Sequence, residues 1–218
     1  MSRSSRFLAL MLSAALLSSG TARSTHARAA DDPSPVNATI PAIVLLVAND
    51  GSGVPDPIGT FSVIHRDLAN NPIPNAVIRI DLSHAPELRL CSQQQAGLHV
   101  ECAPGVSYVE GRTDEQGTLT ASLMGYGVGD AVTGLNGCRI YADGTLLGSP
   151  TVAAFDLSGA DGVGANDFSV WFGDFGTGNP HGRSDYDNSG SIGANDLSIW
   201  FNVFGRGLSA VGCGTSCP

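Results

Sequence analysis

The stretch DYDNSGSIGANDLSIWFNVFG, residues 185–205, joins an acidic turn to an apolar pattern of helical period. Asp185, Asp187 and Ser189 stand at alternate positions of the turn, and Asp196 stands at its twelfth position. Because alternate side chains of a tight turn point to the same side, these oxygens are expected to converge on one centre. A hard divalent cation, which takes about six to eight oxygen ligands, fits such a turn.

The turn has further features of a calcium loop. Gly190 at position 6 permits the sharp bend, and Gly193 at position 9 leaves one ligand place to water. Without a cation the carboxylates repel one another, so Ca²⁺ is expected to order the loop. The predicted ligands are Asp185, Asp187, Ser189, the carbonyl of Ser191, and Asp196.

The residues that follow the loop predict a helix with one apolar stripe. Leu197, Trp200, Phe201 and Phe204 fall at i, i+3, i+4 and i+7, which is the spacing of a single helix face. Gly205 comes next, where a left-handed C-cap is expected.

The same unit occurs once before in the chain. The segment DLSGADGVGANDFSVWFGDFG, residues 156–176, begins 29 positions earlier and ends in the same Phe-Gly pair. An internal repeat of this kind indicates two copies of one supersecondary unit. Its apolar stripe consists of Phe168, Trp171, Phe172 and Phe175, with Gly176 as the expected C-cap. Short helices are marginal alone, so the stripes are predicted to pack as a shared core rather than to form a sugar-stacking platform.

The first loop is the weaker candidate for calcium. It keeps Asp156, Ser158 and Asp167 at positions 1, 3 and 12, but Ala160 stands at position 5 and Asp161 at position 6. Loss of one oxygen ligand and of the bend glycine predicts weaker binding. For both loops the alternative is a turn rich in Asp, Ser and Gly that caps the helix without a metal.

The residues before the repeat predict a β-rich domain. A short apolar run of strand length occurs at 43–47, and the runs at 61–67 and 76–82 alternate between the two faces of a strand. Asn and Pro residues between these two runs favour a reversal, TDEQG (113–117) favours a hairpin, and Asp143–Gly144 favours another. Several short strands separated by turns predict a mainly β chain with a sandwich of about 110 residues.

Composition and the N-terminus favour an exported protein. Residues 1–22 combine Arg3 and Arg6 with a short apolar run and small residues, which is typical of a secretory signal. No other segment of the 218 residues is apolar enough to span a bilayer, so a secreted or bacterial cell-surface protein is expected. The net charge of −9, or −11 without the signal, argues against nucleic acid and anionic membranes as partners.

Outside the cytosol, four of the five cysteines are expected to form disulfides. Cys91 and Cys102 bracket one short loop and Cys213 and Cys217 bracket another, which predicts two short-range disulfides. Cys138 is then left over, although its pairing with Cys91 or Cys102 stays open. Zinc is disfavoured because no histidine stands at ligand spacing.

Catalytic motifs are not recognisable in the sequence. None of the five histidines stands in an H-E-x-x-H pattern, and no G-x-S-x-G elbow occurs. His65, on a strand face, is interpreted as structural. The sequence therefore predicts a protein that is not an enzyme.

Two loop–helix units that lack the entering helix of an EF-hand resemble the type I dockerin domain over residues 156–207. In that family, paired calcium loops order two helices that bind a cohesin module of a scaffold or surface protein. The resemblance implies a cohesin-like or other surface-protein partner. The positions implied for its recognition are Ala165, Asn166, Ala194 and Asn195. Because TVAAF (151–155) leads directly into Asp156, the unit is expected to pack on the sandwich as a fixed cap.

The phrases FSVIHRDLANNPIPNAVIRIDLS and TDEQGTLTASLMG resemble the bacterial immunoglobulin-like domains of surface proteins over residues 41–155. The resemblance implies an immunoglobulin-like β-sandwich with a spacer or display role. The segment 86–105, which contains two of the cysteines, is interpreted as a loop insertion.

Together these patterns predict a β-sandwich followed by a small α-helical pair of EF-hand-like repeats. The expected divisions are a signal peptide (1–22), a disordered leader (23–40), the sandwich (41–155), the dockerin-like repeats (156–207) and a C-terminal tail (208–218). The expected function is calcium-dependent attachment or surface display. Two alternatives are an accessory role in extracellular polysaccharide breakdown and a structural surface domain with vestigial calcium loops.

Overall fold

The computed structural model describes residues 33–128, 137–159, 161–176 and 182–217. The predicted signal peptide and the first part of the predicted leader lie outside the described residues. The strands are β1 (Ile43–Val47), β2 (Thr60–Ile64), β3 (Val77–Asp81), β4 (Leu88–Leu90), β5 (His99–Ala103), β6 (Val106–Arg112), β7 (Thr118–Gly127), β8 (Arg139–Ala142), β9 (Thr145–Gly148) and β10 (Thr151–Ala154). The helices are α1 (Ala165–Gly176) and α2 (Ala194–Arg206), and short 3-10 turns occur at Pro57–Gly59 and Gly182–Ser184.

The strands form two five-stranded sheets, so the described chain is mainly β as predicted. The first sheet has the order β10-β1-β7-β2, with β4 also paired to β7. In it, β1 runs parallel to both of its neighbours, β10 and β7. The second sheet has the order β5-β6-β3-β8-β9 and is antiparallel throughout. Buried residues of both sheets belong to one hydrophobic core, which lies between them.

Alternating polarity determines which side of each strand enters this core. In β3, Ile78 and Ile80 are fully buried, whereas Arg79 points to the outer surface, as the sequence predicted. In β2, Phe61 and Val63 are buried, whereas Thr60 and Ser62 on the other side are exposed. Burial of one face of each strand is what stabilises the two layers, because apolar area contributes about 25 cal/mol per Å² removed from water.

Two turn predictions have different outcomes. The Asp143–Gly144 turn joins β8 to β9 as a hairpin, with positive φ angles of 45° and 84°. The TDEQG turn at 113–117 does not close a hairpin, because β6 and β7 lie in different sheets. The hairpin prediction there is wrong: a local turn signal reports a reversal of the chain and not the sheet that the next strand joins.

Two segments are more ordered than the sequence predicted. The supposed loop insertion at 86–105 contributes β4 to the first sheet and β5 to the second. The described part of the leader, 33–40, lies along β2 instead of being disordered. The Ser34 N–H donates to the Arg66 carbonyl (3.0 Å) and the Thr39 N–H to the Ile64 carbonyl (2.9 Å).

The four cysteines that were expected to form disulfides do so, but the predicted pairing is wrong. Cys91 bonds to Cys213 and Cys102 bonds to Cys217, across sequence separations of 122 and 115 residues. The C-terminal tail runs back beside β4, where the Cys217 N–H donates to the Leu90 carbonyl (2.8 Å). Closing loops of this length removes about 4–5 kcal/mol of unfolded-state entropy per bond in the chain-entropy model.

Cys138 is the leftover cysteine, as expected. It is unpaired and buried at the start of β8. Burial raises the pKa of its thiol to about 12, so it is not a reactive thiolate at neutral pH.

The C-terminal unit packs directly on the first sheet. The Tyr186 hydroxyl donates to the Ala154 carbonyl (3.1 Å), and the Tyr186 ring stacks on Phe155 with centroids 4.5 Å apart. The Trp200 indole N–H donates to the Phe155 carbonyl (3.4 Å). At the C-terminal end of α2, Arg206 pairs with the buried Asp56 at 2.8 Å. The unit therefore packs on the first sheet at β10 and is also joined to it near Asp56.

Candidate metal centre

The second loop brings three carboxylates together, as the spacing predicted. Ligand atoms of Asp185, Asp187 and Asp196 all lie within 4.8 Å of one another. Asp185 and Asp196 are 1% exposed, whereas Asp187 is open to solvent. The cluster is thus cup-shaped. Asp185 and Asp196 form its buried base, and Asp187 forms its one exposed wall.

Backbone N–H groups hold the two buried carboxylates in place. Asp196 Oδ1 accepts from the N–H groups of Tyr186 (2.7 Å) and Asp187 (3.1 Å), and its Oδ2 accepts from Gly193 (2.8 Å). Because Gly193 precedes α2, this last bond is half of a capping box. Asp185 accepts from two N–H groups in the middle of the loop, which fixes the loop around its first residue.

The loop backbone has the sharp bends that such a cup needs. Asn188 and Gly190 have positive φ angles of 56° and 82°, and Gly190 stands at the bend that was predicted for it. The two serines of the predicted ligand set lie beside each other. The Ser189 hydroxyl donates to the Ser191 carbonyl at 3.0 Å, so both oxygens are on the same side of the loop.

Electrostatics oppose the arrangement when no cation is bound. Burial raises the pKa of Asp185, and its carboxylate neighbours act in the same direction. Hydrogen bonding from Ser189 lowers the pKa of the exposed Asp187. A bound divalent cation would replace repulsion among the three carboxylates by attraction.

The donor set fits calcium by chemistry and by size. Carboxylate, carbonyl and hydroxyl oxygens are the ligands that Ca²⁺ prefers. Two oxygens bound to one Ca²⁺ at about 2.3–2.6 Å can be at most about 5 Å apart. The observed limit of 4.8 Å among the three carboxylates satisfies this condition.

The first loop has the same backbone hydrogen bonds to its position-12 aspartate as the second loop, but a different set of side chains at its centre. Asp167 repeats the role of Asp196: its Oδ1 accepts from Leu157 (2.6 Å) and Ser158 (2.8 Å), and its Oδ2 from Gly164 (2.6 Å). Ser158 offers only a hydroxyl at position 3 and is exposed. Among the described residues, no third carboxylate joins Asp156 and Asp167.

The bend of the first loop comes one residue later than in the second. Asp156 Oδ2 accepts from the N–H of Gly162 at position 7 (2.8 Å), whereas Asp185 Oδ2 accepts from Gly190 at position 6 (2.8 Å). Gly162 has a φ of 93°, and a Cβ there would lie 2.5 Å from the Ala210 carbonyl. The first loop is therefore packed under the C-terminal tail. Ala160, its fifth position, lies outside the described residues.

Asp156 carries a buried oxygen that the loop does not satisfy. Its Oδ1 has no hydrogen-bond partner among the described residues, and the side chain is 1% exposed. Burial raises the pKa of Asp156 to about 7. Burial therefore favours the neutral form of this carboxyl.

The positions implied for partner recognition lie at the start of both helices. Ala165, Asn166, Ala194 and Asn195 are exposed in the first turns of α1 and α2. Asn195 also hydrogen-bonds to Asp187 and helps to lower the pKa of that carboxyl. The second helix start is thus connected to the carboxylate cluster, which the sequence did not indicate.

The helices differ from the predicted pattern in two respects. Gly205 lies inside α2, and the left-handed C-cap is Gly207, with a φ of 64°. The two tryptophans are buried in the shared core as predicted, but four phenylalanines of the stripes are not. Those half-exposed residues are Phe172, Phe175, Phe201 and Phe204.

The sequence did not identify a buried ion pair that joins the two repeats. Arg183 donates two hydrogen bonds to Asp174 (2.9 and 2.8 Å), and the Ser184 hydroxyl donates a third (2.6 Å). Asp174 stands where the second repeat has the fully buried Val203. An acid at a buried position of the repeat was the signal that could have revealed it.

No protein-family model, curated protein or solved structure matches the chain significantly. None of the described helices is both long and apolar enough to cross a lipid bilayer. His65 is fully buried, and this burial lowers the pKa of its imidazole.

Proposed function

We propose that residues 156–207 form a dockerin-like calcium-binding unit on an exported, non-catalytic protein that serves attachment or surface display. The observation that carries the proposal is the convergence of Asp185, Asp187 and Asp196 in a twelve-residue loop that opens a helix. A metal-free turn accounts for Asp196 and Asp185, whose carboxylates already accept three and two backbone N–H groups. Of the backbone N–H groups in the described loop, Asp187 accepts only that of Ser189 (3.0 Å), and this turn contact gives no reason for its carboxylate to lie beside the two buried ones.

The two-sheet domain is proposed to be an immunoglobulin-like sandwich that acts as a rigid support. Support for this role comes from the direct packing of Tyr186 and Trp200 on the β10 segment and from the two disulfides. Disulfides persist in oxidising compartments, which agrees with the secretory signal predicted for residues 1–22. In this arrangement calcium orders the surface of the loop–helix unit, which is already packed on the two-sheet domain.

Calcium is expected to occupy the second loop first. Asp185 and Asp196 supply oxygens from the buried base, Asp187 from the exposed wall, and Ser189 and the Ser191 carbonyl from the middle of the loop. The exposed wall gives the ion access from solvent. When bound, calcium supplies the positive charge that makes the carboxylate cluster favourable.

Calorimetry and thermal unfolding test the metal. The disulfide-bonded protein should bind Ca²⁺, and its unfolding temperature should rise with calcium and fall after chelation. Asp187→Asn should weaken binding by about tenfold or more, because it removes one charged ligand. Glu115→Gln removes the same charge from an exposed turn and should leave binding unchanged. Absence of binding heat together with an unchanged melting curve would favour vestigial capping loops.

Capture from the surface extract of the producing cells tests attachment. Immobilised protein should retain a surface protein in calcium and release it to a chelator. The double variant Ala165→Gln, Ala194→Gln enlarges both implied recognition positions and should lose that protein while keeping calcium binding. Hydrolysis of added polysaccharide by the purified protein would contradict the non-catalytic role and favour the breakdown of polysaccharide instead.

A further inference from the structure

The outer side of the C-terminal unit carries a cluster of exposed aromatic side chains. Phe172, Phe175, Phe201 and Phe204 are 60%, 48%, 47% and 46% exposed, and these four residues are called the aromatic face. Together they present about 400 Å² of aromatic surface if a phenylalanine offers about 200 Å². Patches of this size on a soluble protein mark interaction sites more often than scattered single residues do.

The aromatic face is rigid because buried residues hold it from below. Phe175 stacks on Trp171 with centroids 5.6 Å apart, and Phe204 stacks on Trp200 at 5.3 Å. Both tryptophans are almost fully buried. Rings that are already fixed lose little conformational entropy when a partner covers them.

A fifth ring joins the two helices into one surface. Phe168 lies 6.2 Å from Phe172 on its own helix and 5.5 Å from Phe201 on the other, measured between ring centroids. The aromatic face is therefore continuous across α1 and α2. Phe172 and Phe201 are equivalent in the repeat, as are Phe175 and Phe204, so each helix contributes the same two rings to the face.

Within the described parts of the two helices, no unpaired charge is exposed beside the face. Its exposed neighbours in the two helices are Ala165, Asn166, Ser169, Gly173 and Gly176, and Ala194, Asn195, Ser198, Asn202 and Gly205. The acids of these helices, Asp167, Asp174 and Asp196, are buried, and Arg206 is paired with Asp56. In a chain of net charge −9, an aromatic centre with an uncharged polar rim has the composition of a protein–protein interface.

Ring geometry and charge argue against two other occupants. A flat polysaccharide needs coplanar rings, but Phe172 and Phe175 are tilted by 41° and Phe168 and Phe201 by 38°. A helix that lies on a membrane carries basic residues beside its apolar face. Here the arginines near the helices are either buried, as Arg183 is, or paired, as Arg206 is.

We propose that the aromatic face is the contact surface between two copies of this chain. Most of the surface of one acidic copy repels another, whereas two uncharged faces meet without repulsion. A two-fold dimer uses the same patch on both subunits, and a patch free of charge meets no like-charge pair when it faces itself. The aromatic face supplies about half of the roughly 800 Å² per partner of a standard interface, and its polar rim supplies the rest.

The proposal rests on the helix face and not on the proposed attachment, but its rim includes Ala165, Asn166, Ala194 and Asn195, so a dimer would compete with a surface partner for these positions. A dimer built through α1 and α2 joins two sandwiches through their C-terminal units. The chain would then display its sandwiches in pairs.

Sedimentation velocity of the disulfide-bonded protein in calcium tests the dimer. Wild type should dimerise with a dissociation constant in the micromolar range. The double variant Phe172→Ser, Phe201→Ser should raise that constant by about a hundredfold, since buried aromatic anchors dominate interface energetics. Leu146→Ser, which removes a 45% exposed apolar residue from β9, is the matched control and should change nothing.

A second variant keeps the test valid if the serine variants fail to fold. Asn202→Asp is close to isosteric, leaves every ring in place and adds a like charge to both sides of the interface. It should weaken the dimer, and added salt should restore part of the affinity. Near-ultraviolet circular dichroism of the packed tryptophans should match wild type.

Three results would overturn the proposal: a wild type that stays monomeric at all concentrations, a dimer unaffected by either aromatic-face variant, or equal loss in Leu146→Ser. Pelleting of a monomeric wild type with cellulose or with phosphatidylcholine vesicles, lost in the serine variant, would assign the face to those ligands instead. Calcium calorimetry on the same samples separates this question from the metal. A wild type that is monomeric and binds calcium would contradict only the dimer proposal. A wild type that dimerises without binding calcium would contradict only the proposed metal site.

Discussion

The two loops of the C-terminal unit start from one sequence pattern and have diverged in their centres. Both bury an aspartate at position 1 and one at position 12, and both position-12 carboxylates accept three backbone N–H groups. The second loop adds Asp187 and opens to solvent, whereas the first is packed under the tail at Gly162. The shared hydrogen bonds build the loop–helix scaffold. The loops differ because, among the described residues, only the second concentrates three carboxylates at a place that is open to solvent, where an ion can reach them.

Removing the position-12 aspartate that both loops share should have the largest effect on the free energy of unfolding. In chelator, Asp196→Ala and Asp167→Ala each leave three N–H groups without their acceptor and should lower the free energy of unfolding by about 3 kcal/mol or more. Urea unfolding followed by tryptophan fluorescence measures this. Calcium should then stabilise Asp167→Ala and not Asp196→Ala. A loss below about 1 kcal/mol in both would mean that the N–H groups find other acceptors.

The buried acid of the first loop should give a pH-dependent effect of intermediate size. The native pKa of Asp156 is about 7, and its ordinary value is 3.8. Between these values the native state holds a proton that the unfolded state has released, so the stability of wild type falls as pH rises. The limiting slope is about 1.4 kcal/mol per pH unit.

Asp156→Asn removes that proton exchange and keeps the shape of the side chain. In chelator, the variant should gain about 1–2 kcal/mol relative to wild type between about pH 5 and about pH 7. Unfolding free energies at both pH values measure the difference, and the titration of His65, present in both proteins, cancels. Parallel pH curves would show that Asp156 is ionised in the native state throughout the range.

Exchanging position 3 between the loops should give the smallest effect and the sharpest comparison. Asp187→Ser should weaken calcium binding by about tenfold, and Ser158→Asp should create a second, weaker site in the first loop. Calorimetric stoichiometry reads out both. Ser169→Asp adds the same charge to α1 outside the loop and should add no site. If Ser158→Asp adds none either, the late bend at Gly162 limits the first loop more than its missing carboxylate does.

The parts of the fold that depend on neighbouring residues were predictable. The alternation at Ile78 and Ile80 identified the core face of β3, and Asp143–Gly144 identified the β8–β9 hairpin. Sheet membership was not predictable, because TDEQG reverses the chain equally well within a sheet or between two sheets. The disulfide pairing was missed for a related reason: short spacing suggests proximity, but the tail approaches β4 from more than a hundred residues away.

The candidate site follows the same division. Twelve-residue spacing identified Asp185, Asp187 and Asp196, because a tight loop is a local structure. Helical period identified Trp171 and Trp200 as core. It could not separate them from the half-exposed phenylalanines, since all lie on stripes whose width depends on what packs against them.

The sequence by itself determined the strand faces, the duplicated loop–helix unit and the convergence of oxygens in its second copy. These depend on backbone periodicity and on steric limits within about a dozen residues. Only the tertiary structure decided which sheet each strand joins, which cysteines meet, that the first loop is covered by the tail, and that four phenylalanines remain uncovered. Those outcomes depend on contacts between segments far apart in the chain, where burial and excluded volume act on the folded whole.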